Sequence, residues 1–182
     1  MESRFRVVSY SDRQHSTAEL GAFRCGDDVL DRYLREYASQ DVKRHGASVY
    51  LVLDREAAGR IAGFYTLSSF AVDRDELLGA GSTRLPTYVR TPATLVGRLA
   101  RDERYRGLGG PVLIDALVRA HAASRAVASY AVVVEAKNDH AAAFYRRFGF
   151  LELSPRRLFL PMATVAKMIE ATAADEAAVG RE

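Results

Sequence analysis

Apolar residues recur three and four positions apart from Asp27 onward, at Val29, Leu30, Tyr33, Leu34, Tyr37 and Ala38, the spacing of one helix face. Asp27 is a good N-cap, and the helix is predicted to end near His45-Gly46, where glycine takes the left-handed conformation. Arg6 to Ser9 predicts a short first strand. Ser48 to Leu53 and Ile61 to Ser69 are rich in β-formers and flank a Gly-containing turn, so they predict a hairpin. The segment from Asp73 to Thr94, with Gly79, Gly81, Pro86 and Pro92, predicts mainly loop. Thr94 to Ala100 predicts a strand; Leu113, Leu117 and Ala120 predict a helix with Pro111 in its first turn. Tyr130 to Ala136 is a buried-strand run. Asn138 then caps a short helix holding Phe144, Tyr145 and Phe148, which Gly149 ends. Leu158 to Met162 predicts a last strand. No repeat or long linker divides the chain, so the expectation is one mixed α/β domain over 1–169, with an acidic, Ala-rich tail over 170–182 that is a helix or frays.

Composition narrows the class. At 182 residues, 48% hydrophobic and 27% charged, the chain has the profile of one globular domain. No run of apolar residues is long enough to span a bilayer, and the opening MESRFRVVSYSDRQ is too polar for a signal peptide. The lone Cys25 excludes an internal disulfide and a cysteine-built zinc site, and His15, His45, His121 and His140 show no ligand spacing, so no metal is expected. A cytoplasmic protein with no membrane association is the expectation. The net charge of +3 is unevenly spread. The span from Arg84 to Arg106 carries Arg84, Arg90, Arg98, Arg101, Arg104 and Arg106 against only Asp102 and Glu103, an excess that suits an anionic partner or a solvated face.

Two local patterns carry chemistry. The first is a strand followed by Arg104-Tyr105-Arg106-Gly107-Leu108-Gly109-Gly110 and then a helix. Glycines let the backbone approach a ligand, and the helix start adds unpaired N–H groups, so this turn is a candidate diphosphate site; a tight turn without ligand is the alternative. Arg104 and Arg106 can add charge-assisted bonds to phosphate. Neither a P-loop nor the three-glycine dinucleotide fingerprint is matched, because no Gly-Lys-Ser/Thr is present and Val112 stands where the third glycine belongs. The second pattern is Asn138-x-x-Ala141-x-x-x-Tyr145, which places the three residues on neighbouring helix faces. A phenol is protonated at neutral pH and can serve as a general acid, although a core tyrosine fits the same pattern.

Together these patterns resemble the GNAT superfamily of N-acetyltransferases. The resemblance implies the GNAT fold, a mixed, mostly antiparallel central sheet flanked by helices, and acetyl-CoA as the acetyl donor. It implies that Arg104, Arg106, Gly107, Leu108, Gly109 and Gly110 hold the diphosphate, that Leu99, Ala100 and Arg101 pair with the pantetheine arm, that Asn138 touches pantetheine, and that Tyr145 protonates the departing thiolate. A narrower resemblance covers nearly the whole chain. Phe23-Arg24-Cys25-Gly26, Ala38-Ser39-Gln40-Asp41, Gly63 to Ser68, Leu85-Pro86, Gly97 to Ala100, Ala136-Lys137 and Leu158 to Met162 are similar, in order and spacing, to GNAT-type toxins of bacterial toxin–antitoxin pairs. Such toxins acetylate the α-amino group of charged tRNA and block translation. The resemblance implies a ribbon-helix-helix antitoxin, operator DNA bound through that antitoxin, and a homodimer. Pro111, which removes an N–H, and Arg101, where the toxins carry an apolar residue, depart from the pattern.

The chemistry is consistent with that acceptor. An α-amine titrates at about 7.7–8.0 and is partly neutral at pH 7, whereas a lysine amine near about 10.4 needs a base. Glu135, Asp102 and Glu103 are possible bases, with no mark that selects one. Arg84, Arg90 and Arg98 are the first candidates for RNA phosphates; Arg35, Lys43 and Arg44 are second. Rival functions are acetylation of a small amine or a protein N-terminus, and a non-catalytic regulator that binds acyl-CoA or nucleic acid.

Overall fold

The computed structural model describes residues 4–12, 14–83 and 85–179, with side chains through Thr172. Seven strands hydrogen-bond in the order β1-β2-β3-β4-β5-β7-β6: β1 (Phe5–Ser9), β2 (Ser48–Asp54), β3 (Arg60–Asp73), β4 (Arg90–Arg101), β5 (Ala131–Glu135), β6 (Leu151–Ser154) and β7 (Arg157–Pro161). The pairs β1/β2, β2/β3, β5/β7 and β6/β7 are antiparallel. With the flanking helices this is the expected mixed, mostly antiparallel architecture. The chain divides into two compact units, residues 1–68 with 96–116 and residues 69–95 with 117–182.

In the first unit, Val49, Leu51 and Leu53 alternate along β2 and bury one face against Leu20, Phe23, Tyr33, Leu34 and Phe64. Phe23 meets Phe64 edge-on at 5.4 Å, the arrangement favoured by aromatic quadrupoles. The β2/β3 register slips between Val52 and Leu53: Val52 pairs with Gly63 and Leu53 with Ile61, so Ala62 is the extra residue of a bulge. That bulge aims the Ala62 carbonyl at the N–H of Asp102, 2.8 Å away. Next to it, Gly63 has to be glycine, because an added Cβ would lie 2.9 Å from the Ala100 carbonyl oxygen and 3.2 Å from Val112 Cγ2.

The helix predicted from Asp27 is present but interrupted. Asp27 Oδ1 accepts from the N–H groups of Val29 and Leu30 at 3.0 and 3.3 Å, starting α2 (Asp28–Arg32). A π-helical turn (Tyr33–Tyr37) follows, closed by the Ala38 N–H bonding five residues back to Tyr33, and α3 (Ala38–Lys43) completes the run. The expected left-handed glycine is a correction. His45, with φ 55°, takes that conformation instead, donating its N–H to Val42 while Gly46 donates to Asp41, which is the two-bond Schellman ending displaced by one residue. The preceding α1 (Thr17–Gly21) escaped prediction, although Ser16 and Glu19 form the reciprocal capping box that announces it.

In the second unit, Val72, Leu77, Ala93, Ala131, Val133 and Phe159 form the core. The span expected as loop from Asp73 to Thr94 contains α4 (Arg74–Gly79), with Leu77 fully buried, and the first residues of β4. The scattered glycines and prolines outweighed that single turn in the sequence pattern. Helix α5 (Gly109–Ala123) starts at the glycine turn and carries Pro111 in its first turn. Asn138 caps α6 (Asp139–Arg147), its Oδ1 accepting from Ala141 at 2.9 Å, and Gly149 with φ 83° follows the helix end. Strand β6 was not anticipated; it pairs with β7 through a two-residue turn. Helix α7 (Met162–Val179) runs unbroken through residue 170. Among the described residues no helix is long and apolar enough to cross a membrane.

Candidate functional site

The glycine turn is fastened by two buried carboxylates. Asp102, fully buried just after β4, accepts from the Arg104 guanidinium through both oxygens, at 2.7 and 2.6 Å, and from the Arg104 and Arg24 backbone N–H groups at 3.1 and 2.9 Å. Arg104 also donates to the Ala22 carbonyl at 3.0 Å. Burial pushes the Asp102 carboxyl up, but the Arg104 guanidinium and the two N–H groups outweigh it and hold the acid below the usual carboxylate range. On the other side, Tyr105 hydrogen-bonds Asp54, which Arg4 grips through two bonds of 3.1 and 2.8 Å; that pairing holds the Asp54 carboxyl down to about 2. Phe5 meets the Tyr105 ring edge-on at 5.8 Å. The turn is therefore shaped by the protein itself.

Between these anchors the backbone is open. Gly107 has φ 83°, a conformation that needs glycine. Because α5 begins at Gly109, the N–H groups of Gly109 and Gly110 have no partner inside the helix, and Pro111 has no N–H to offer; Val112 bonds back to Leu108 at 3.0 Å. Arg106 is exposed and forms no ion pair among the described residues. An open cavity of about 830 Å³ lies beside the turn, lined by Arg4, Phe5 and Glu103 to Leu108 with Pro111. Two unengaged amides, a helix start and a cation fit a diphosphate. Leu99, Ala100 and Arg101 are the last residues of β4; Ala100 is buried, and Arg101 Nη1 turns back to the Asp102 carbonyl at 3.2 Å.

Tyr145 lies on α6, 8% exposed, with its ring 5.2 Å from that of Phe144 and 5.5 Å from that of Phe150. Burial alone pushes its phenol up to about 12. The group is a neutral proton donor across the physiological range. Asn138, expected to touch pantetheine, caps α6 through its side-chain oxygen, and its amide N–H₂ takes no part in that cap.

Two of the three acidic candidates are held in structural pairs. Asp102 is committed to Arg104, and Glu135 accepts from Arg157 at 3.1 and 2.8 Å across the β5/β7 register. Glu103 is exposed at the cavity rim. Burial raises the Cys25 thiol to about 12, so it is no thiolate nucleophile. Of the basic candidates, Arg84 lies outside the described residues. Arg90 is exposed, 3.8 Å from Asp73. Arg98 lies 3.7 Å over the Tyr33 ring and 3.9 Å from Asp41, which also accepts from the Tyr33 hydroxyl at 2.9 Å. Arg35 pairs with Glu36 at 3.0 Å, whereas Lys43 and Arg44 are exposed and without an ion pair among the described residues. The anchors Asp54 and Tyr105 were missed because their partners lie about fifty residues apart, and no local spacing signals such a bond.

Comparison with known proteins places this geometry in context. The profile of the acetyltransferase (GNAT) family matches residues 17–150. A Mycobacterium tuberculosis protein named tRNA-acetylating toxin is 35% identical over 139 residues, covering 75% of this chain and 80% of its own. The structure of the toxin AtaT complexed with acetyl-methionyl-tRNAfMet superposes with TM-score 0.79 at 24% identity, covering 91% of this chain and 99% of AtaT. A tyrosine-to-phenylalanine mutant of AtaT, bound to the C-terminus of its antitoxin AtaR and acetyl-CoA, gives 0.77 at 22% identity, with 92% and 99% covered.

Proposed function

The chain belongs to the acetyltransferase (GNAT) family, and on that premise we propose that it is the toxin of a toxin–antitoxin pair, acetylating the α-amino group of charged tRNA with acetyl-CoA as donor. The family supplies the donor and the transfer. The M. tuberculosis relative, a tRNA-acetylating toxin by name, supports the acceptor. The observation that carries the donor site is the self-anchored turn, with the Gly109 and Gly110 amides in the first turn of α5, where they have no intrahelical partner, close in sequence to exposed Arg106.

In this mechanism the N–H groups of Gly109 and Gly110, with Arg106, hold the diphosphate; Gly107 and Leu108 shape the approach. The Arg104 guanidinium acts chiefly through Asp102, fixing the turn. Leu99 to Arg101, at the end of β4, offer backbone groups to the pantetheine arm, and the Asn138 amide offers a donor. The acceptor amine is largely neutral near pH 8 and needs no buried carboxylate to deprotonate it. As that nitrogen bonds to the acyl carbon it sheds its surplus proton to water, and Tyr145 gives its own proton to the sulfur as the carbon–sulfur bond breaks. A thiol in water titrates near about 8.5, well below this phenol, so the proton moves only while the sulfur is held away from water, where its thiolate is destabilised as well. RNA phosphates engage Arg84, Arg90 and Arg98, with Arg35, Lys43 and Arg44 as a second set. The protein works in the cytoplasm as a homodimer, and a small DNA-binding antitoxin neutralises it, in line with the AtaT complex with the C-terminus of AtaR.

Labelled acetyl-CoA offered with charged tRNA, with free amino acids and amines, and with peptide N-termini tests the acceptor. Label should appear on the aminoacyl group of tRNA. Label confined to small amines or peptides would move the protein to the rival acetyltransferase function, and label on nothing would leave a binding regulator.

A further inference from the structure

Three non-glycine residues among those described have left-handed backbones, His45, Ala58 and Arg156. Histidine is comparatively tolerant there, and Ala58 brings no chemistry. Arg156 is different. It is the second residue of the two-residue turn between β6 and β7, after Pro155, with φ 66°. Proline followed by a left-handed residue is the type II pattern, and its second position favours glycine or asparagine. A long β-carbon-bearing cation in that position stores backbone strain, and strain of this kind gathers where a side chain is used.

The surroundings show what the side chain can do. Residues Glu135, Ala136, Ser154, Pro155, Arg156 and Arg157 line an open cleft of about 220 Å³, room for a phosphate group. Arg157 is neutralised by Glu135 at 2.8 Å. Arg156 is not: its one ion pair among the described residues, Nε to Asp139 Oδ1 at 3.6 Å, is too long for a hydrogen bond and joins side chains 58% and 92% exposed. Its carbonyl accepts from Ala136 at 2.7 Å, which pins the turn at the end of β5. The cleft thus combines a fixed backbone, the Ser154 hydroxyl and one loosely held guanidinium suited to bidentate phosphate binding.

We propose that Arg156 grips a phosphodiester of the RNA substrate in this cleft, a binding role that outranks the strain of its backbone. The proposal rests on the charged-tRNA function above. Full-length Arg156→Gly, with Arg156→Asn as a second residue tolerant of this backbone, tests it against wild type. Removing the strain should raise the melting temperature by about 2–4 °C. At the same time KM for charged tRNA should rise about tenfold, the loss of one charge-assisted contact, and the log–log salt slope of RNA binding should shrink by about 0.7–0.9, one phosphate fewer. Affinity for acetyl-CoA, by calorimetry, should stay unchanged. A more stable variant with a poorer RNA interaction is an outcome that a purely structural arginine does not produce. Unchanged tRNA kinetics and salt slope in both variants, beside an active wild type, overturn the proposal. So does a drop in acetyl-CoA affinity, which would assign the cleft to a phosphate of the coenzyme. Normal tRNA kinetics with escape from the antitoxin would assign it to a protein carboxylate. A wild type that acetylates no charged tRNA sinks the parent function, and this proposal with it.

Discussion

Tyr145 is a phenol whose whole shift comes from burial, so the proposed role as acid is separable from its role in packing. Tyr145→Phe keeps the ring contacts with Phe144 and Phe150. The variant should bind acetyl-CoA as wild type does and melt within a degree or two of it, while kcat falls about 10²- to 10⁴-fold; stopped-flow turnover with calorimetry separates the two effects. An unchanged kcat would remove the phenol from the reaction. The same position dictates the pH profile. A donor that titrates near 12 stays protonated throughout the working range, so kcat/KM for an α-amine acceptor should climb through about pH 8 and then stay level to pH 10. A descending limb below pH 10 would mean that a different acid acts. The identity of Tyr145 as a candidate was legible from its distance to Asn138, because α6 keeps the ideal helical step. The engagement of Arg104 with Asp102 was not, because two residues so close in sequence meet in this way only when the intervening turn folds back.

At the scale of the element, β3 and β4 show why the glycine turn stands where it does. The bulge at Ala62 aims one carbonyl at Asp102, and Gly63 leaves space for the end of β4. Gly63→Ala forces a methyl to within 2.9 Å of the Ala100 carbonyl, a backbone atom that cannot rotate away. Overpacking of that kind should cost about 1–3 kcal/mol, and weaker acetyl-CoA binding should accompany it, measured by chemical denaturation and calorimetry on the same sample. A neutral substitution would show that the strands are free to part. Helices and strands with dense apolar periodicity, such as β2, β5 and the run from Asp27, were legible because one face must be buried. The elements that were missed, α1, α4 and β6, are five, six and four residues long. Their burial comes from distant neighbours, and only the Ser16–Glu19 capping box left a local trace of α1.

For the molecule as a whole, the two carboxylates that anchor the turn also set its acid tolerance. Asp54 and Asp102 titrate lower in the fold than the value of about 3.9 for an unfolded chain. Their stabilisation is complete above that pH and disappears as pH falls toward the folded values, about 2 for Asp54. The melting temperature should therefore be level from pH 7 to 5 and fall steeply between 4 and 2. Asp102→Asn should lower stability at pH 7 by about 2 kcal/mol and flatten that acid limb, as scanning calorimetry across pH would record; equal acid limbs in the two proteins would exclude Asp102 as an acid-sensitive anchor. A tolerance of a different kind follows from the π-helical turn at Tyr33–Tyr37. It holds one residue more than an α-helical path through the same arc, so the surplus residue is absorbed where it stands and is not passed on to α3. Deleting exposed Arg35 or Glu36 should therefore mend the regular ladder and leave Ala38 in the interior and Asp41 beside Tyr33 and Arg98, whereas the same deletion in a regular stretch would turn every later side chain by about 100° around the axis. The irregularity confines a change of chain length to a single turn and keeps the two halves of the helix in phase.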